Sequence, residues 1–523
     1  MLTKIKNFNC ARTQDAALRA LWWLALGTLA LLGVFFVLRA TTRGVGVSPD
    51  STVYISIARG MLNRLGFQFP LQSGGDFPPL YPALLALGGL VTGDPSTAAR
   101  PLNAILFGCN ILLVGIALQH ITRNSFWVPL FGAALMVSSG TMLTIHTMAW
   151  SEPLFIFLAL SGMIALAQFI SSPQLFWLAI AAVAMGLAAV NRYVGISLGL
   201  CGIAALIILS PGALRRKIAS AIFFAALTLL PLAFWMTRQP TRRMFQIQLP
   251  PWDYIRAGLE NISMWIVPAG IPLLARYRPW MAAAFVILLM LGVGYVWRQR
   301  ANRALPKTVL ARVPPLAGIV ALFAFAYLGV NILARMFLGP ALELHSRALS
   351  PIFVAGVILF LSIASFLISF FARKNILLQF GIAVLTMAVL GYSFGAGIRF
   401  VERSRVEGLG YNSIAWHTSP TIARIKTLPP HVVVISNGSD AVYFLTGRRV
   451  QRTPNKVDKM NMLENQAFLA EMAQVKNRLA SGRAVIVYFN TFPDRWYQPN
   501  EQELMQDLPL RLIVCEADGA IFQ

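Results

Sequence analysis

Charge is what this sequence has least of. Only 12% of its 523 residues are Asp, Glu, Lys or Arg, where ordinary soluble domains carry about 25%. With 57% hydrophobic residues and a mean hydropathy of +0.65, the composition excludes a wholly soluble chain and indicates a membrane protein. Acids are scarcer still. Up to residue 395 there are eight: Asp15, Asp50, Asp76, Asp94, Glu152, Asp253, Glu260 and Glu343. The last 128 residues hold the other twelve of the 20. We therefore expect a membrane domain over 1–395 and a water-soluble domain over 396–523. Cysteine is nearly absent too. Of Cys10, Cys109, Cys201 and Cys515, only Cys515 falls in the soluble part, which excludes a disulfide framework there. No GxGxxG or P-loop occurs, so no nucleotide fingerprint is present. Ser-His-Asp order, HExxH, CxxC clusters, internal repeats and low-complexity segments are all missing. After the first apolar run, LRATTRG lacks a small-x-small cleavage site, so that run reads as an uncleaved anchor.

What is abundant is apolar sequence in runs of membrane length. A spanning helix needs about 20 apolar residues. The expected spans are 20–38, 102–120, 126–145, 153–170, 175–190, 194–210, 218–236, 281–297, 314–333, 352–371 and 377–395. Residues 79–92 and 262–275 are shorter and ambiguous, which places the total at about 11–13 transmembrane helices. The formal net charge of +24 has a topological reading, because Lys and Arg hold cytoplasmic loops. Its sharper reading is a site for an anionic substrate. Nucleic acid is not expected as a partner, since the basic residues are dispersed between apolar runs. The densely basic short turns carry Arg123, then Arg215, Arg216 and Lys217, then Arg298, Arg300, Arg303, Lys307 and Arg312, then Arg373 and Lys374. Placing these inside puts the N-terminus in the cytoplasm and, with an odd number of spans, the tail outside.

In that topology every acid of the membrane domain after Asp15 lies in or beside an outer segment. Asp50, Asp76 and Asp94 share the first outer loop, 40–100. Carboxylates at membrane depth are tolerated mainly where they line a wet cavity or pair with a cation. Their shared face suggests one outward polar cavity, although Asp94, Asp253 and Glu260 are equally explained as solvated loop acids.

The tail alternates strand and helix patterns. Residues 432–437, 484–490 and 510–517 read as strands, and 441–447, 460–480 and 501–508 as helices. That is a small α/β domain with three or four strands.

Candidate chemistry centres on the stretch from Pro49 to Pro82. Tyr54, Ile57, Ala58, Met61, Leu62 and Leu65 recur at helical spacing. Asp50 would be that helix's N-cap or close to it, which explains an Asp there as well as catalysis does. Asp76, between two glycines and Phe77-Pro78-Pro79, is a candidate substrate contact or a plain turn acid. Glu152 in AWSEPLF complements a helix start and is a second candidate. Arg192 in NRYVG either snorkels or binds phosphate bidentately. His345 and Arg347, beside Glu343 in ELHSRALSP, suit an anion or metal site. Tyr54 completes the substrate-binding candidates, and Glu152 and His345 are the candidates for a divalent metal ion.

The blocks PDSTVYISIARGML, DFPPLYPALLALGGLVTG and TAARPLNAIL, with SEPLF, NRYVG, HSRALSP, YNSIAWHTSP and VISNGSDAVYFLTG, resemble the GT-C superfamily of multi-pass glycosyltransferases. Within it they are closest in kind to the bacterial protein-mannosyltransferase and aminoarabinose-transferase-like group. The resemblance implies eleven to fourteen helices, an outer-face cavity and a soluble tail capping it. It implies transfer of a sugar from a polyprenyl-phosphate carrier to a lipid, glycan or protein acceptor at the inner (plasma) membrane. The family's first-loop acid matches Asp50, as general base. Two departures stand out: Ser51 occupies the place of a frequent second acid, and Phe77 that of a frequent Lys before the double proline. A lipid-linked donor accounts for the missing nucleotide motif, and a single displacement implies inversion at the anomeric carbon. The competing reading, a transporter or flippase of a polar lipid or lipid-linked sugar, predicts repeats and polar residues at mid-membrane depth.

Overall fold

The structure is a computed structural model that describes residues 2–63, 77–123, 125–237, 252–266, 276–284, 286–287, 314–338, 343–368, 376–458, 462–492 and 495–523. The described residues up to 266 form eleven α-helices: α1 Leu2–Ala40, α2 Pro49–Leu62, α3 Leu80–Thr92, α4 Pro95–Thr122, α5 Trp127–Ser138, α6 Gly140–Thr147, α7 Glu152–Ser171, α8 Leu175–Asn191, α9 Ile196–Leu209, α10 Leu214–Thr237 and α11 Trp252–Ile266. Three more close the helical part: α12 Pro315–Leu338, α13 Ser350–Leu367 and α14 Ile376–Glu407.

Among the described residues six helices are long and apolar enough to cross a membrane, and four shorter apolar helices accompany them. Their outward residues are bare hydrocarbon, such as Leu24, Leu31, Leu90, Val91 and Leu377. In water such a shell would be a liability; against lipid it is the expected surface. Inside, helices approach closely where glycine removes the side chain. A Cβ on Gly33 would lie 2.3 Å from Ile111 Cδ1, and one on Gly115 would lie 2.5 Å from Leu26 Cδ1. Small residues at the α1–α4 contact allow van der Waals packing where no hydrophobic driving force between helices exists.

Three expectations are corrected. Residues 126–145 do not form one continuous helix: α5 and α6 meet at a bend of 56°. Ser139 turns extended there, and its hydroxyl caps α6 by accepting from Met142 N at 3.3 Å. The run is apolar throughout, so hydropathy could not show the break. Residues 79–92, left ambiguous by the sequence, form the 13-residue helix α3, one of the shorter apolar helices. The expected helix 460–480 starts only at Phe468. The tail has five strands, more than the three or four expected. Most of the expected span 281–297, and residues 267–275, lie outside the described residues.

The tail follows α14, which continues past residue 395 to Glu407. It contains α15 Ile414–His417, α16 Pro420–Thr427, β1 Val433–Ser436, α17 Ser439–Thr446, β2 Val450–Arg452, α18 Phe468–Ala480, β3 Ala484–Phe489, α19 Glu501–Asp507, β4 Leu512–Glu516 and β5 Gly519–Phe522. The sheet order is β2-β1-β3-β5-β4. β1 runs parallel to β2 and β3, and β5 runs antiparallel to β3 and β4. Strand alternation sends Val434, Val485, Val487 and Ile521 to one face, against Ile422, Ile425 and Val442. Ile435, Ile486, Ala520 and Phe522 point to the other, against Met472, Val475, Leu479 and Leu504. Sequence reading missed two short strands: β2 is three residues long and partly polar, and β5 is four residues long.

Candidate active site

The segment Gly44–Ser48 sets the site. Gly46 forms a parallel bridge with Met148, and Val47 one with Gly410. The bridge is closed by Gly46 N to Thr147 O and Ala149 N to Gly46 O, both 2.8 Å, and by Tyr411 N to Val47 O at 2.8 Å. Five residues of extended chain therefore join three parts: the start of α2, the connection from α6 to α7, and the entry to the tail. Asn103 Nδ2 donates to Met148 O at 2.6 Å, and Asn110 Nδ2 to Pro153 O at 3.0 Å, so α4 anchors the same connection from below.

Ser48, not Asp50, is the N-cap of α2. Its hydroxyl accepts from Ser51 N at 3.3 Å, with Pro49 as the first helical residue. Proline suits that position because its missing N–H is needed by no helical partner. Asp50, relieved of capping, stands in the first turn with its carboxylate 42% exposed. Arg347 Nη1 donates to Asp50 Oδ2 at 2.5 Å, and Arg347 Nε to Glu152 Oε1 at 2.5 Å. Arg192 Nη1 also bonds Glu152 Oε1, and donates to Ser151 Oγ at 3.2 Å. The result is a chain of alternating charge, Asp50–Arg347–Glu152–Arg192, in which Glu152 is fully buried.

Each member is held from outside. Trp150 lies under Arg347, with the guanidinium carbon 4.3 Å from its ring centroid, a cation–π geometry. Trp150 Nε1 donates to Ser48 Oγ at 2.8 Å. Asn191 Nδ2 donates to Ser151 O at 2.9 Å. Arg192 itself has an extended backbone, φ −149° and ψ 130°, which ends α8 and turns the residue out of the helix. Tyr54 OH is 3.1 Å from Ser151 Oγ, and its ring packs edge-on to Phe77 and Tyr81, both at 5.2 Å. Burial pushes the Tyr54 hydroxyl up to about 12, so it stays protonated and can donate. Burial opposes the charge of Arg347, but Glu152 and Asp50 outweigh it and raise its pKa.

The cluster is balanced in charge but not saturated in hydrogen bonds. Glu152 Oε2 and Arg192 Nε are buried without a partner. Unmet buried polar atoms cost free energy and are rare in native interiors. Both belong to residues that Arg347 and Glu152 link to the exposed carboxylate of Asp50.

The expected residues therefore divide. Asp50, Tyr54, Glu152, Arg192 and Arg347 come together. Asp76 lies outside the described residues. His345 is exposed, its Nδ1 3.0 Å from the Glu343 carbonyl oxygen, so the expected His–Arg–Glu group does not form. Arg347 turns inward and its two neighbours stay at the surface. Glu152 and His345 do not assemble a metal site, and no group of three or more His, Cys, Asp or Glu capable of holding a metal occurs among the described residues. Asp94 caps α4 and pairs with Arg59 at 2.8 Å. Glu260 pairs with Arg256 one helical turn away at 3.0 Å. Both are explained without the site. Ser48, Trp150 and Ser151 were missed. Trp150 and Ser151 immediately precede Glu152 in sequence, and their proximity to the rare acid was the available signal.

Fold and site together define a polytopic α-helical membrane protein with a small C-terminal α/β unit. No family model matches the sequence. No curated protein matches it either. Among solved structures, the chain is similar to ArnT from Cupriavidus metallidurans in the apo state, with a TM-score of 0.53 at 16% identity over 96% of this chain and 98% of that one. It is equally similar to that protein bound to undecaprenyl phosphate, with a TM-score of 0.52 at 16% identity over 96% and 97% of the two chains.

Proposed function

We propose that this chain is an integral-membrane glycosyltransferase that moves a sugar from a polyprenyl-phosphate carrier to an acceptor hydroxyl. The observation that carries the reading is the chain Asp50–Arg347–Glu152–Arg192, open to solvent at its acidic end. Asp50 is the general base. It takes the proton of the acceptor hydroxyl as that oxygen bonds to the anomeric carbon. The bond from that carbon to the carrier phosphate breaks on the opposite side, and the phosphate leaves with the electron pair. The configuration inverts. Arg347 and Arg192 stabilise the charge that develops on the departing phosphate, a role that preorganised cations perform well where water is excluded. Glu152 holds both guanidiniums in place. Arg347 also donates to Asp50. A carrier phosphate competing for Arg347 would release the Asp50 carboxylate to act as base.

The similar structure bound to undecaprenyl phosphate supports a carrier of this chemical class. We read residues 1–395 as the catalytic membrane domain and 396–523 as an extracytoplasmic domain, with the N-terminus cytoplasmic and the cluster on the outer face of the plasma membrane. The acceptor is a lipid, glycan or protein hydroxyl.

The test is transfer from a panel of defined polyprenyl-phosphate sugars by purified protein in nanodiscs, wild type against Asp50→Asn. A lost carboxylate base is expected to cost about 10²–10⁴-fold in turnover. Equal turnover removes Asp50 from that role. Failure to consume any such donor overturns the enzyme class.

A further inference from the structure

A second polar site lies at the far membrane face. Helix α7 starts at Glu152 in the cluster and ends at Ser171. At about 1.5 Å per residue its 20 residues carry the chain about 30 Å away. Helix α9, which starts just after Arg192, ends at Leu209 in the same place. There the ends of α7 and α9 and the start of α10 enclose a cavity of about 140 Å³, lined by Phe169, Ile170, Ser210, Arg216, Lys217 and Ser220. A single water needs about 10–15 Å³ by this measure, so the cavity has room for a phosphate group with its ester oxygens. Ser210 Oγ is buried there without a hydrogen-bond partner. Lys217 Nζ reaches back to the Ile207 carbonyl at 3.1 Å, which leaves it further protons to donate.

No acid is among the residues that line this cavity. The sequence has no Asp or Glu between Glu152 and Asp253, or between Glu260 and Glu343. Those stretches supply all of α8, α9, α10 and α12, and all of α7 after its first residue. Lys and Arg at a cytoplasmic turn are expected from topology alone. Topology does not account for a cavity that they line, or for the orphaned hydroxyl inside it. The surroundings select between a soluble and a lipid ligand. Leu214 and Ile218 are large, apolar and exposed at the start of α10, which bounds the cavity. They offer acyl chains a surface directly beside the charged opening.

We propose that this cavity binds the phosphate headgroup of an anionic phospholipid. The site is separate from the donor site and on the opposite membrane face. Arg216 and Lys217 contact the phosphate oxygens, Ser210 donates a hydrogen bond to one of them, and the acyl chains run along the exposed apolar residues.

Native mass spectrometry of the full chain, exchanged from detergent into an equimolar mixture of phosphatidylglycerol and phosphatidylcholine, tests this. The wild type is expected to retain phosphatidylglycerol preferentially. A surface charge contributes about 1 kcal/mol to anionic lipid binding, or about fivefold. Arg216→Gln with Lys217→Gln should therefore reduce retention about 25-fold. Ser210→Leu keeps every charge but fills the cavity, and should also lose the lipid. Arg373→Gln with Lys374→Gln removes equal charge from another basic turn and should leave retention unchanged. Monodisperse elution and an unchanged melting temperature qualify each variant as folded. Equal retention of both lipids by the wild type overturns the proposal. So does wild-type retention by Ser210→Leu, or an equal loss in the Arg373/Lys374 control. Displacement of the lipid by sn-glycerol 3-phosphate at comparable concentration overturns the lipid assignment in favour of a soluble phosphate ester.

Discussion

Two Arg–carboxylate clusters in this chain are made of nearly the same parts. One is Asp50–Arg347–Glu152–Arg192 at the end of the helical region. The other is Tyr411–Asp440–Arg495 in the tail. Each has an aromatic ring under its arginine: Trp150 at 4.3 Å from Arg347, and Phe492 at 4.0 Å from Arg495. The difference is in how completely they are satisfied. In the tail, Arg495 Nη2 donates to both oxygens of Asp440 at 2.8 and 3.0 Å, and Tyr411 OH donates at 2.6 Å. Arg495 also bonds the Asn437 carbonyl. Its two charged side chains are only 10% and 12% exposed. Burial and the neighbouring Asp440 carboxylate push the Tyr411 hydroxyl well up. That is a closed clamp, locking α17 to Arg495. The first cluster exposes Asp50 and strands Glu152 Oε2 and Arg192 Nε. Nearly the same parts thus make a satisfied cluster in the tail and one with unused hydrogen-bonding capacity at the helix ends.

Substituting the acid in each cluster is expected to show the largest contrast. Removing one partner of a buried ion pair costs about 3–5 kcal/mol, so Glu152→Gln and Asp440→Asn should both lower the melting temperature. Glu152→Gln should in addition cut turnover by at least about 10²-fold, because the phosphate-facing cations lose their shared support. Asp440→Asn should leave kcat of the folded fraction near wild type. If Asp440→Asn lowers kcat as far as Glu152→Gln does, the distinction between the clusters is lost.

Gly410 links the regions and gives the next effect. It has φ +55°, and a Cβ there would lie 2.1 Å from the Val47 carbonyl oxygen. Gly410→Ala must push away the segment that leads into Ser48 and Asp50, so both stability and turnover should fall. Gly447 has φ +69° with open space around it. Gly447→Ala carries a comparable backbone strain of about 1–3 kcal/mol, and should lower the melting temperature without lowering kcat. Matching kcat values for the two variants would show that the tail junction does not position Asp50.

Ser48→Ala is a smaller test. Losing the N-cap costs about 1 kcal/mol, and Trp150 Nε1 loses its acceptor. Turnover should drop moderately and recover in Ser48→Thr, which can cap and accept. No recovery would mean that the serine acts by size alone.

The smallest effect is expected at Asp94, an acid outside both clusters. Burial raises its pKa, but Arg59 and Ser96 outweigh this and hold it below the ordinary carboxylate range. A depressed folded pKa stabilises above the unfolded value, and that contribution is lost as pH falls through the folded one. Asp94→Asn keeps a capping oxygen and loses the ion pair. Its half-exposed pair is worth about 0–1 kcal/mol. Wild type and variant should therefore differ slightly in melting temperature at pH 7 and converge toward pH 3. A difference that persists at low pH would assign the effect to the cap instead.

The legible part of the site was its rarest residues. Asp50, Glu152, Arg192 and Arg347 stand out because ionisable groups are scarce in so apolar a chain. Their supports did not stand out. Serine and tryptophan are ordinary at a membrane boundary, and Ser48 and Trp150 meet across 102 positions. The cap of α2 was misread because Asp50 and Ser48 are both good caps. Only the path of the chain through Gly46 and Val47 leaves the serine in place to accept. Arg347 and His345 looked alike in sequence, and the turn before α13 sends one inward and the other out.

By itself the sequence determined the membrane class, most of the apolar helices and the alternating tail, because hydropathy and periodicity act over a few neighbouring residues. It also determined how few charges could be involved. Which carboxylate meets which arginine was decided by the tertiary structure alone. Arg347 reaches Asp50 across 297 residues and Glu152 across 195. Such pairings depend on how the helices pack and on backbone bridges at Gly46 and Val47, and no local preference encodes them.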